Sequence, residues 1–81
     1  MTRVRLFASL RDAADGGHVD VEATTVAGML DELADRFGDV MARRLGVATV
    51  VVDGDAVPRD DTTRDLSTAD EVVVMPPFAG G

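Results

Sequence analysis

Polar and apolar residues alternate from Arg3 to Ala8, placing Val4, Leu6 and Ala8 on one face and Arg3, Arg5 and Phe7 on the other. That two-residue period predicts an amphipathic strand. A long loop ending in Gly16-Gly17 leads to His18 to Glu22, where Val19 and Val21 alternate with His18, Asp20 and Glu22. The pattern predicts a second strand, paired with the first as a hairpin. The period then changes to 3.6. Val26, Met29, Leu30, Leu33, Ala34 and Phe37 fall on one stripe behind the capping candidates Thr24 and Thr25, so the main helix starts there and stops at Gly38. Gly28 inside it costs about 1 kcal/mol against alanine, which points to a close approach of the helix backbone to the sheet or an adaptable first turn.

Asp39 to Leu45 reads as a short second helix with Asp39 as its N-cap, Arg43 and Arg44 near the negative end of its dipole, and Gly46 as its stop. Val47 to Val52 is a nearly continuous run rich in β-branched residues, followed by the reversal signal Asp53-Gly54 and a short return strand at Ala56 and Val57. Pro58 to Thr68 is polar, with Leu66 as its core anchor. Glu71 to Met75 is the last strand, stopped by Pro76-Pro77, which cannot donate ladder hydrogen bonds. The expected fold is α+β: a mixed sheet of four to five strands with one main helix packed on one face. Val72 to Met75 is apolar on both faces, so the last strand should lie in the middle, parallel to the first.

Length and composition narrow the function. Eighty-one residues hold one modest core, and no cleft between domains is expected. Cysteine is absent, which removes disulfides, thiolate catalysis and thiolate metal ligation together. The start of the chain alternates Arg3 and Arg5 with Val4 and Leu6, so neither a signal peptide nor a membrane span is expected, and the cytoplasm is the expected compartment. With a formal charge of −7 and no basic cluster, nucleic acid is a poor partner. All eight basic residues are arginine, as a GC-rich or salt-adapted genome would produce.

Candidate chemistry inside the domain is thin. His18 stands alone on a strand's polar face, and no convergent set of metal ligands is expected. Asp53-Gly54-Asp55 and Asp60-Asp61 lack the spacing of a calcium loop. Ser9 and Ser67 have no activating partner at recognisable spacing. The tail is different: two glycines at Gly80-Gly81 can enter a narrow channel without a side chain in the way. Six residues follow Met75 and reach ~20 Å when extended, with Pro76-Pro77 stiffening their base. Residues 1–75 are thus expected to form the domain and 76–81 a projecting tail.

Val4-Arg5-Leu6-Phe7-Ala8-Ser9-Leu10-Arg11, Thr25-Val26, Asp70-Glu71-Val72 and the ending Pro76-Pro77-Phe78-Ala79-Gly80-Gly81 together resemble the MoaD/ThiS family of ubiquitin-like β-grasp sulfur carriers, and within it the small subunit of molybdopterin synthase. Ala69 departs from the family, which commonly has glycine there. The resemblance implies a non-catalytic carrier in molybdenum cofactor biosynthesis. A ubiquitin-activating-type enzyme (MoeB/ThiF-like) would spend ATP to adenylate Gly81, the adenylate would accept sulfur as a C-terminal thiocarboxylate, and a synthase large subunit (MoaE-like) would receive the tail. No tightly bound cofactor is implied. By strand parity, Phe7, Val73 and Met75 with Phe78 would form an apolar docking patch at the root of the tail. Other readings share that tail: a protein modifier joined to lysines, as in archaeal relatives; a sulfur donor for thiamin, cysteine or tRNA thiolation; or a β-grasp interaction module that carries nothing.

Overall fold

The computed structural model describes residues 1–14 and 16–76. The chain runs β1 (Thr2–Leu6), α1 (Ser9–Ala14), β2 (His18–Val21), α2 (Val26–Phe37), α3 (Asp39–Leu45), β3 (Thr49–Val52), β4 (Asp55–Val57), a 3-10 turn (Leu66–Thr68) and β5 (Val72–Met75). The strands form one sheet in the order β2-β1-β5-β3-β4. β5 pairs parallel with β1, Val4 opposite Val72 and Leu6 opposite Val74, and antiparallel with β3, Val50 opposite Val74. The first and last strands therefore lie side by side, with β5 at the centre as its apolar residues on both faces require.

Alternation sets the register. Val4 and Leu6 of β1, Val19 and Val21 of β2, Val50 and Val52 of β3, and Val72 and Val74 of β5 face the helices, where Val26, Met29 and Leu33 of α2 and Met41 and Leu45 of α3 meet them. Each such side chain, fully buried, contributes roughly 1.5–3 kcal/mol. Leu66 joins this core from the loop, holding it to α2 through its N–H to the Thr24 carbonyl at 2.8 Å, while the Thr2 hydroxyl donates to the Leu66 carbonyl at 3.3 Å.

Three local expectations need correction. The loop between β1 and β2 contains a helix, α1, which buries Leu10 and Ala14; at six residues it is too short to show a helical period. Ala8 is exposed and takes a φ of +51°, because the chain leaves the ladder after Phe7 and turns into α1. The N-cap of α3 is Gly38, not Asp39, and it makes no side-chain capping bond; with a φ of +89° it closes α2 and opens α3 at once. Asp39 sits instead in the first turn, where its charge suits the dipole.

Gly28 is explained by the cap. The Thr25 hydroxyl accepts from the Gly28 N–H at 3.1 Å, and a Cβ at residue 28 would lie 3.0 Å from that hydroxyl and 3.3 Å from the Ala23 Cβ. Crowding comes from the helix's own entrance, not from the sheet. At the far end of the fold, Asp53 and Gly54 both take positive φ (51° and 87°) to close the β3-β4 hairpin. The Asp53 carboxylate then accepts from the N–H groups of Asp70 and Glu71, both at 2.8 Å, and its own N–H donates to the Glu71 carbonyl. This clamp aligns the start of β5. Ala69 sits before this turn without strain, since its φ is −76°.

Candidate functional site

β5 is central, so whatever follows Met75 departs from the middle of the sheet. Pro76 follows directly; Pro77, Phe78, Ala79, Gly80 and Gly81 lie outside the described residues. The site that can be built from side chains is therefore the surface around the end of β5, on the sheet face opposite the helices.

On that face β1 presents Arg3 and Arg5, both exposed. Phe7 continues their parity, and its N–H donates to the Val74 carbonyl at 3.3 Å, one step beyond the regular β1 ladder. The residue is 36% exposed, with the Arg5 guanidinium 5.0 Å from the ring centroid. Arg5 also reaches the Glu71 carboxylate at 3.7 Å, and Arg3 the Asp20 carboxylate at 3.4 Å. These exposed pairs order side chains more than they stabilise the fold.

Of the expected patch, the structure puts Phe7, Val73 and Met75 on this one face. They are not equally available. Val73 is only 6% exposed, flanked in register by Arg5 on β1 and Val51 on β3, so it is floor rather than surface. Met75 is half-buried and lies opposite Thr49. Val51 and Ala56, paired on β3 and β4, extend the same face. Parity within the unbroken apolar run 47–52 gave no hint of it. Arg5 was legible as an outward residue, but not as the one that cradles Phe7.

The other candidate groups are occupied or isolated. His18, exposed and opposite Arg5 in register, shares with Arg3, Arg5, Asp70 and Glu71 a depression of about 150 Å³, below the ~300–1,000 Å³ of ligand pockets. The Asp61 carboxylate accepts from the N–H and hydroxyl of Thr63, both at 2.7 Å, and these bonds hold its pKa below the usual Asp value. Asp65 is lowered likewise by the Ser67 hydroxyl at 2.6 Å and the Ser67 N–H at 2.9 Å. Those bonds hold loop turns in shape. Among the described residues no three His, Cys, Asp or Glu side chains gather as metal ligands, and no helix is long and apolar enough to cross a membrane.

A five-stranded mixed sheet gripping a helix, with parallel first and last strands at its centre, is the β-grasp fold, and the protein is of the ubiquitin-like class. The family comparison narrows this: the model of the ThiS family matches residues 4–81, and the chain belongs to that family of ubiquitin-like sulfur carriers, which work with adenylating enzymes of the ubiquitin-activating type. Its structure is similar to the crystal structure of SAMP1 from Haloferax volcanii, with 27% identity and a TM-score of 0.68 over 98% of this chain and 97% of the other. It also resembles the solution structure of the small archaeal modifier protein 1 from Methanosarcina acetivorans, at 20% identity and a TM-score of 0.68 over 98% and 94%; at that identity the likeness concerns the fold alone. The comparison with curated proteins gives no match.

Proposed function

We propose that the chain carries sulfur as a C-terminal thiocarboxylate on Gly81 and serves as the small subunit of a molybdopterin synthase. The observation that carries the reading is the span of the family match, which runs through the Gly80-Gly81 end, taken with a central β5 that leads straight into Pro76-Pro77. A carboxylate acylates poorly. The Gly81 carboxylate oxygen attacks the α-phosphorus of ATP, pyrophosphate leaves, and a sulfur nucleophile then displaces AMP from the acyl carbon. The domain contributes a docking face of Phe7 and Met75 over Val73, completed by Phe78, for the activating enzyme and the synthase large subunit. With an active activating enzyme, ATP and a sulfur source, the protein should gain the mass of one oxygen-to-sulfur exchange at Gly81. Deleting Gly81 should abolish the gain and leave thermal unfolding nearly unchanged. An unaltered mass beside an active enzyme would refute the proposal.

A second reading has its own support in the likeness to SAMP1 at 27% identity across nearly the whole chain: the same activated glycine would be joined to lysines of other proteins. Digests of cells grown under conjugating conditions should then contain lysines bearing the Ala79-Gly80-Gly81 remnant. The protease must cut within the tail, since the nearest upstream arginine is Arg64. Finding only the free protein would exclude this reading.

A further inference from the structure

Four large apolar side chains stand exposed among the described residues: Met1, Phe7, Val40 and Val47. Met1 lies before β1 and Phe7 after it, at opposite ends of the strand. Val40 and Val47 belong together. They are 49% and 63% exposed, and they share one side of α3 with Arg43, because positions three and four apart are neighbours on a helix. Gly46 keeps helical angles (φ −61°, ψ −20°) and the Val47 N–H donates to the Arg44 carbonyl at 3.4 Å, so the coil continues past Leu45 and brings Val47 onto that side. Met41 and Leu45 hold the opposite side in the core.

Arg43 stands apart from the other arginines. Arg3, Arg5, Arg36 and Arg64 each meet a carboxylate, and Arg44 donates to the Ser9 carbonyl at 2.6 Å, whereas the Arg43 side chain has neither an ion pair nor a hydrogen bond among the described residues. The α3 dipole favours a cation in this turn, but it gains nothing from valines bared on either side. An apolar, cationic and apolar row in solvent is complementary to a carboxylate set between apolar side chains. Area leads to the same surface. A stable interface takes about 800 Å² from each partner, and the patch at the end of β5 offers only a partly open Phe7 and a half-buried Met75 over a covered Val73. A partner seated there has to reach further. Val47 stands two residues before Thr49, which pairs with Met75, so the α3 stripe borders that patch.

Resting on the reading of the chain as a carrier, we propose that Val40, Arg43 and Val47 form a second contact for the adenylating enzyme, receiving a carboxylate of that enzyme on Arg43 between two apolar side chains. A second copy of the chain is a poor occupant, since two molecules of charge −7 repel, and an anionic membrane is a poor one for the same reason.

The test measures binding of the full chain to its adenylating enzyme by calorimetry, without ATP. Val40→Ser and Val47→Ser made together should weaken binding about fivefold or more, and so should Arg43→Met, the scale on which truncated interface anchors are felt. Arg43→Glu should weaken it further by setting two carboxylates against each other, and Arg43→Lys should keep most of the affinity. All three side chains are exposed, so thermal unfolding should stay near that of the wild type. Folded variants that bind as the wild type does overturn the proposal, as does a wild type that does not bind. Self-association of the wild type that the valine changes abolish, or flotation with phosphatidylglycerol vesicles that Arg43→Glu abolishes, would give the stripe another occupant and overturn it too. Sulfur loading is read separately: at saturating enzyme the variants should still gain the oxygen-to-sulfur mass at Gly81, and a wild type that never gains it counts against the carrier reading.

Discussion

Leu6 and Phe7 are neighbours in the chain with opposite surroundings: Leu6 is 1% exposed among the helices, and Phe7 lies open on the other face. Leu6→Ala should cost roughly 2–5 kcal/mol of stability, from lost burial and a residual cavity. Phe7→Ala should cost less than that in folding, since it gives up a half-open ring and an exposed cation–π contact worth ~0.5–1 kcal/mol. Its effect should appear in binding to the activating enzyme or the synthase subunit, as a loss of more than about 1 kcal/mol. Denaturant titration and calorimetry on the same two variants check the contrast. The assignment was legible from parity alone, because Arg3 and Arg5 mark the outer face. Val73 was harder: its neighbours are apolar on both sides, so the sequence held its direction but not its 6% exposure, which depends on what Arg5 and Val51 bring beside it.

At the scale of elements, α2 was legible to the residue because its stripe, just over three turns long, lies between a threonine cap and a glycine stop. α1 was missed because one and a half turns cannot display a period, and its formation depends on Leu10 finding the core. Nor did the sequence announce how the sheet's edge at β2 is covered. The Glu32 carboxylate accepts from the N–H groups of Glu22 and Ala23, each at 3.0 Å, and Arg36 donates to the Asp20 carbonyl at 2.6 Å while reaching Glu32 at 3.5 Å. One turn of α2 thus occupies backbone groups that an edge strand would otherwise offer to another chain. Glu32→Ala should lower stability by about 1–2 kcal/mol, speed amide exchange at Glu22 and Ala23, and promote concentration-dependent association visible in sedimentation. Glu32→Gln, which keeps an acceptor, should be milder in all three.

Taken whole, the molecule pairs the charges of its sheet face opposite the helices. Arg3 and Arg5 are matched there by Asp20 and Glu71, so the formal charge of −7 belongs to the rest of the surface, where it favours solubility and disfavours self-association. The placement of β5 carries a different consequence, one that concerns synthesis. Before Val72 is made, the chain holds two separate hairpins, β1-β2 and β3-β4, and an isolated hairpin is marginal in water. Both can pack on the helices, but within the sheet it is β5 that joins them, pairing with β1 on one side and β3 on the other. A chain broken off upstream of Val72 would lack the strand that unites the two hairpins in one sheet. The sheet is thus closed from its middle and not from an edge, so the order of synthesis leaves its central ladder to be zipped up last.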